Sequence, residues 1–270
     1  METLQLETKG SVAWVWLNRR RQLNAINETT LAELRAAFEA LEQDDEVSAI
    51  VLAARGLVFC AGFDVAWMAS QDAEAVAPGL PGIEAVFDTI EACAKPVIAA
   101  VQGAAMGGGL LLTLVADACL ASEYAKFGAP EVKLGFFPNL RLIPRLERIV
   151  GVRAAKHLVL TGDPVSASTA LDWGLVDRVL PSKELHAQAQ ARAEQLAALP
   201  SFAVQSAKAA FGAARQPDFV TWERQRFAKC WAQPERHAAM EAFLASRRKY
   251  PDQELSDAGS ASSSWLPSRN

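Results

Sequence analysis

The sequence predicts a layered α/β domain, and three observations carry that prediction. Two uninterrupted apolar runs, Ala49–Ala54 and Pro96–Val101, are short and lack the alternation of a half-exposed strand, so they read as strands buried on both faces. A stretch with apolar residues at helical spacing precedes each of them: Leu31, Leu34, Phe38 and Leu41 before the first, Val86, Phe87 and Ile90 before the second. The second run then meets Gly107-Gly108-Gly109, a turn set between a strand and a buried helix. Strands and helices in alternation make a layered α/β core.

The elements follow in order. Val12–Leu17 reads as a strand, with Leu4–Thr8 pairing against it. A basic, polar connection over 18–27 leads to Asn27, which caps a helix over Glu28–Gln43, and Asp44-Asp45-Glu46 ends that helix. Strand, helix and strand at this spacing predict a right-handed crossover. Phe59-Cys60-Ala61-Gly62-Phe63-Asp64-Val65 is a turn leading into a helix. Residues 70–82 are small and acidic and carry Pro and Gly, which predicts a mobile surface segment. Ile83–Cys93 is a helix, Pro96–Val101 a strand, Leu111–Ala116 a buried helix and Ala118–Ser122 a short strand. The chain then turns helical, over Arg141–Val150, Arg153–Leu160, Ala167–Asp172 (opened by Ser166 and closed by Gly174), Lys183–Leu199, Ala203–Ala214, Asp218–Ala232 and Glu235–Arg248. Val176–Leu180 is a short extended piece. From Ser256 onward Ser, Ala and Gly dominate, which predicts a frayed tail, and no internal repeat is visible.

Composition bounds the function. A chain of 270 residues, 51% hydrophobic, suits one sizeable domain with a helical appendage. A net charge of −4 gives nucleic-acid binding no electrostatic support. Cys60, Cys93, Cys119 and Cys230 have no metal-ligand spacing and read as buried thiols of a reducing compartment. The N-terminus lacks the blocks of a signal peptide, and every long apolar run is interrupted by a charge or Pro, so the expectation is a soluble, cytoplasmic protein with no membrane partner. His157, His186 and His237 all fall inside helices of the C-terminal half, so a Ser–His–Asp site or a His metal site has little support, and no metal is expected. No Gly-x-Gly-x-x-Gly follows the first strand and no Gly-Lys-Ser/Thr follows the glycine run, which speaks against a dinucleotide site or a P-loop.

Three consecutive glycines are costly to order. They serve either as a tight strand–helix turn or as a place where unpaired helix N–H groups face a ligand, such as a developing oxyanion. Gly62-Phe63 stands in the same relation to Ala49–Ala54. Adjacent parallel strands put such turns on one sheet edge, where ligands bind, so two N–H groups from two turns can converge on one oxygen.

One ordered series of segments carries more. It runs Phe59-Cys60-Ala61-Gly62-Phe63-Asp64, Lys95-Pro96-Val97-Ile98-Ala99-Ala100-Val101-Gln102-Gly103, Gly107-Gly108-Gly109, Ala116-Asp117 and Phe127-Gly128-Ala129-Pro130-Glu131. This series resembles the crotonase family, the enoyl-CoA hydratases and isomerases. The likeness continues through Arg148-Ile149-Val150-Gly151, Ala170-Leu171-Asp172-Trp173-Gly174-Leu175-Val176 and Phe243-Leu244-Ala245-Ser246-Arg247-Arg248, and spans about Leu4 to Pro251. The resemblance implies a crotonase-like ββα spiral core over 1–195, a C-terminal helical trimerisation region over 196–255 and a disordered tail over 256–270. It implies a homotrimer or a hexamer built as a dimer of trimers. The substrate would be an acyl-CoA, with coenzyme A a part of the substrate and no separate cofactor. The thioester carbonyl would sit between the N–H groups of Phe63 and Gly108, with adenine and pantetheine along Ala25 and the Phe63–Ala66 segment. Ala61, Asp64, Val65, Ala66, Gly107, Leu111 and Asn139 complete the implied binding set. Arg21, Arg247 or Lys249 would meet the CoA phosphates, although each reads equally well as solvated surface.

The carboxylates separate the possible reactions. Family hydratases use two glutamates. Glu131 matches the second of these, and Leu111 stands where the first would be. Water addition normally needs one group to orient the water and another to handle the carbon-bound proton. A single carboxylate can instead carry a proton between two carbons of one substrate, the pattern of the family's Δ3,Δ2-enoyl-CoA isomerases. On this likeness Glu131 is the single acid/base, catalytic together with Phe63 and Gly108, and walls of Leu111, Phe136 and Phe137 raise its pKa. Taken alone, Glu131 reads as a surface carboxylate capping a helix after Pro130. Asn139 cannot act as a base but can hold a water beside Glu131, which keeps hydration or thioester hydrolysis open. By itself it reads as a turn residue after Pro138. A non-catalytic acyl-CoA-binding subunit is the third reading. Asp64 is expected to cap the helix behind Phe63, Asp117 to anchor the turn that follows it, and Trp14 and Trp16 to sit in the core or a subunit interface.

Overall fold

The computed structural model describes residues 1–71 and 73–213, with isolated positions between 222 and 238. Met1–Gln216 form one compact unit and Pro217–Asn270 a second. The expected helix Glu235–Arg248, the tail from Ser256, and Arg247, Lys249, Cys230 and His237 lie outside the described residues, as does most of Asp218–Ala232.

β1 (Leu4–Lys9) and β2 (Val12–Leu17) form an antiparallel pair with Leu4 opposite Leu17. β2 is buried along its whole length, and Trp14 and Trp16 stack on one face of it with ring centroids 4.7 Å apart. α1 (Glu28–Gln43) starts at Asn27, whose side chain accepts the Thr30 N–H at 2.9 Å. The stripe Leu31, Leu34, Phe38 and Leu41 faces inward, as its spacing predicts. Asn27→Ala removes the acceptor for that first-turn donor and is expected to lower unfolding free energy by about 1 kcal/mol in a denaturant titration.

β3 (Ala49–Ala54) follows, then α2 (Val65–Ala69), α3 (Ala73–Ala92) and β4 (Val97–Val101). A three-residue strand, β5 (Ala104–Met106), enters the glycine turn, and α4 (Gly108–Leu114) leaves it. β6 (Ala118–Ser122), β7 (Lys126–Gly128), a 3-10 turn at Pro130–Leu134, α5 (Leu142–Thr161), β8 (Val165–Ser166), α6 (Ala167–Asp172), β9 (Arg178–Leu180), α7 (Leu185–Ala197) and α8 (Ser201–Ala213) complete the unit. The main sheet has the order β1-β2-β3-β4-β6-β9 and is parallel from β2 onward; a second sheet has the order β5-β7-β8. All residues of β2, β3 and β4 are buried, which is why their sequences read as unbroken apolar runs.

One device recurs at the start of the inner strands. Asp117, immediately before β6, accepts the Val97 N–H at the start of β4 at 2.7 Å. Asp177, immediately before β9, accepts the Cys119 N–H in β6 at 2.6 Å. Burial pushes both carboxyls above the ordinary Asp range, and Lys208 of α8 answers Asp117 at 2.6 Å. Asp117 therefore ties down the strand before it, a correction to the expectation that it anchors the turn after it.

Two further differences from the sequence reading have clear causes, and one expected break is found where it was expected. The segment 70–82 is helical from Ala73, even though Pro78 and Pro81 each lack an N–H for the helix ladder. Burial of Val86, Phe87 and Ile90 fixes the second half of α3, and tertiary packing overrides the local signals. The helix expected at Leu111–Ala116 begins at Gly108, so two of the three glycines are its first residues. Gly151, with φ 75 and ψ 162, breaks α5 where the two expected helices meet.

Candidate active site

Two loops leave the sheet at the same edge and touch. Cys60, in the loop after β3, pairs with Ala105 of β5: its N–H donates to the Ala104 carbonyl at 2.9 Å, and its carbonyl accepts the Met106 N–H at 2.9 Å. A Cβ on Gly109 would stand 2.3 Å from the Cys60 carbonyl oxygen. A Cβ on Gly62, where φ is +105, would stand 3.0 Å from the Met106 oxygen and 3.7 Å from the Gly108 nitrogen. Backbone lies on backbone here, so glycine is required at both positions.

Ile26 fastens the first loop. Its N–H donates to the Gly62 carbonyl at 2.8 Å, and its carbonyl accepts the Asp64 N–H at 2.8 Å. Ile26 thus takes both bonds of this parallel bridge, and Phe63, between its two partners, contributes none. In the second loop Gly107 (φ 49, ψ −112) caps α4, and Gly108 is the first helical residue, whose N–H has no partner inside the helix. Among the described residues, no backbone carbonyl accepts a hydrogen bond from Phe63 or Gly108. The Phe63 ring covers Gly108 so closely that a Cβ there would be 2.9 Å from its Cε2 atom.

The surroundings of the first loop match the expected cap. Asp64 accepts from the N–H groups of Ala66 at 3.1 Å and Trp67 at 3.3 Å, and so starts α2. The Trp67 bond, the Arg19 guanidinium at 3.1 Å and the Ala66 bond hold its carboxyl below the usual range. Arg19 also donates to the Ala25 carbonyl at 2.5 Å, which binds the Ala25 segment to the Phe63 loop. Nothing in the spacing of Arg19-Arg20-Arg21 marks Arg19 as the member of the run that turns inward. Ala25 is nearly buried, while Ala61, Val65 and Ala66 are exposed along the loop.

Glu131 follows Pro130 in the 3-10 turn after β7. A Cβ on Gly107 would be 2.7 Å from its Oε1, so the carboxylate lies directly over the glycine turn. Its Oε2 is buried and has no hydrogen-bond partner among the described residues. Burial pushes the carboxyl above the ordinary Glu range, and only its own backbone N–H opposes this. Leu111, 1% exposed, belongs to the core behind the turn. Phe136 and Phe137, expected as walls of the carboxylate, are not buried. They are 41% and 69% exposed, because Gly135, at φ 86, reverses the chain after the 3-10 turn and sends both rings outward. Asn139 is half-buried and its carbonyl accepts the Leu142 N–H at 3.0 Å; among the described residues its side chain makes no hydrogen bond. Beneath the turn, burial pushes the Cys60 thiol up to about 12, which removes it as a thiolate nucleophile near neutral pH. Among the described residues there is no cluster of three or more His, Cys, Asp or Glu that could hold a metal ion, and no helix is long and apolar enough to cross a membrane.

The family model described as enoyl-CoA hydratase/isomerase matches residues 7–253. The chain belongs to that family. A probable enoyl-CoA hydratase of Rhizobium meliloti is 38% identical over 250 residues, covering 92% of this chain and 96% of the relative. A crotonyl-CoA hydratase of Syntrophomonas wolfei is 37% identical over 252 residues, covering 92% and 96%. Among solved structures, the enoyl-CoA hydratase from Bacillus anthracis superposes with a TM-score of 0.86 at 31% identity, covering 90% of this chain and 96% of that one. The fold is therefore the crotonase fold that the motif series implies. In this hydratase/isomerase chain the described site brings Phe63, Gly107, Gly108 and Glu131 together. Arg21 is exposed.

Proposed function

We propose that the protein acts on an acyl-CoA thioester and moves a carbon–carbon double bond from the 3- to the 2-position, with Glu131 as its single acid/base. The observation that carries this reading is one half-buried carboxylate over the glycine turn, whose buried Oε2 has no partner among the described residues, accompanied at the other hydratase position by Leu111. The thioester oxygen accepts the N–H groups of Phe63 and Gly108. Glu131 takes a proton from C2, so the C2–H bond breaks, its electron pair forms C1=C2, and the carbonyl pair moves onto that oxygen to give a dienolate. Fixed backbone donors stabilise this charge, and loss of one such donor costs about 3–4 kcal/mol in other enzymes. Glu131 then returns the proton to C4: the 3,4 pair makes the new C4–H bond, the C1=C2 pair shifts to C2=C3, C1=O re-forms, and the conjugated 2-enoyl thioester leaves. A raised pKa suits a group that must first accept and then donate.

The names of the relatives favour a second reading, hydration of a 2-enoyl-CoA, in which Asn139 holds the water beside Glu131. Supplying 3-enoyl-CoA and 2-enoyl-CoA in separate assays distinguishes the two. The expected result is conjugation of the first with no 3-hydroxyacyl-CoA from the second. Rapid 3-hydroxyacyl-CoA formation moves the assignment to hydration, and binding of both esters without turnover reduces the protein to an acyl-CoA carrier. We further infer a homotrimer or a dimer of trimers, to be measured as the mass of the assembly in solution.

A further inference from the structure

We infer that Arg145 is a positioning residue that fixes the Phe63 loop relative to the Glu131 turn, by clamping α3 to the chain that joins that turn to α5. The inference rests on the reaction proposed above. Arg145 is 4% exposed, and a charge this deep is costly unless it is fully paired. Its Nε and Nη2 hold Glu91 of α3 at 2.9 and 2.7 Å, Nη2 also holds Asp88 at 2.7 Å, and Nη1 donates to the Leu140 carbonyl at 2.8 Å. One planar fork therefore grips α3 and the backbone before α5 at once.

That backbone needs holding. Leu140 and Arg141 are both left-handed, at φ 53 and 56, a conformation that opposes side chains with a Cβ. Arg145 secures the first through its carbonyl, and the Arg141 side chain pairs with Glu84 and Asp88. The same stretch carries Asn139 and continues back into the 3-10 turn, where the Phe136 N–H donates to the Glu131 carbonyl at 3.3 Å. At its far end the turn is pinned by Lys133 on Asp163 at 2.5 Å. On the other side of the clamp, α3 presents Phe87 edge-on to Phe63, with ring centroids 6.3 Å apart. One guanidinium thus joins the support of the Phe63 loop to the support of the carboxylate. Arg148, more exposed, also meets Glu91 at 3.1 Å but reaches neither loop.

The test compares Arg145→Met with Arg148→Met in the full chain, reading kcat, KM and the pH dependence of kcat/KM on the enoyl-CoA substrate. A displacement of about 1 Å in a reacting group can lower turnover ~100-fold. Arg145→Met is expected to lose ~10- to ~100-fold in kcat with KM changed less than about threefold. Its acidic limb is expected to move down toward the ordinary Glu value, because a loosened turn lets water reach the carboxylate. Arg148→Met is expected to stay within about twofold of the parent. A fall in melting temperature with kcat and limb unchanged overturns the inference, and so does a fall in kcat with the limb unmoved. If Arg145→Met does not fold, Glu91→Gln leaves the guanidinium its other partners, weakens a charge-assisted pair to a neutral one, and is expected to lose ~3- to ~10-fold in kcat with the limb moving the same way; an unchanged kcat overturns the inference. Failure of the underlying reaction looks different: the parent shows no turnover, or Glu131→Gln retains it.

Discussion

Glu131→Gln lowers kcat by ~10²- to ~10⁴-fold while the dissociation constant for a CoA ester stays within about threefold. The substitution keeps the shape that fits over Gly107 and removes only the ability to take and return a proton. Because burial raises the carboxyl and the base form must be present at the start of the reaction, kcat/KM is expected to rise with pH through a limb above the ordinary Glu range. Below that limb the group is protonated and cannot accept the C2 proton; above it, activity is flat until another group titrates. Rates across pH on the parent, and ester binding by calorimetry on the variant, measure both parts. Unchanged turnover in Glu131→Gln would remove the residue from the reaction and leave only the crotonase scaffold.

Gly109→Ala is expected to destabilise the fold by more than about 3 kcal/mol, at the upper end of what overpacking costs. The added Cβ would meet the Cys60 carbonyl oxygen at 2.3 Å and the Cys60 Cβ at 2.8 Å. Cys60 cannot retreat, since its N–H and carbonyl are both bonded to β5. The same change at Gly79 is expected to do the opposite. It lies inside α3, nothing is within 4 Å of its added Cβ, and alanine there is worth roughly 0.5–1 kcal/mol in helix propensity. Denaturant titrations of the two variants beside the parent read both effects. A Gly109→Ala chain as stable as the parent would mean that the two loops can part.

The inner strands and the caps were legible in the sequence for local reasons. Ala49–Ala54 is buried on both faces, so its whole sequence is apolar, and Asn27, Asp64 and Ser166 each bond to N–H groups two or three residues away. What the sequence did not disclose depends on partners far along the chain. The sheet β5-β7-β8 consists of pieces of two and three residues, too short to show any period. Arg145 occupies the inward phase of α5 beside Leu142 and Leu146, where a charge is a hint of a buried partner, but Asp88 and Glu91 lie more than fifty residues away. Glu131 and the glycine turn were recognisable by their order within a known series. The orientation of Phe136 and Phe137 was not, because it follows from one left-handed glycine.

The Asp117 and Asp177 bonds give the chain a direction of closure. The Val97 N–H finds its acceptor only when a residue twenty positions later arrives, and the Cys119 N–H waits for one fifty-eight positions later. A nascent polypeptide emerging from the ribosome therefore carries an unsealed sheet margin until Asp177 and β9 have been synthesised. Chains that stop short of that point expose the outer backbone of β6, a ready template for pairing with a neighbour, and are expected to be handed to chaperones or to precipitate.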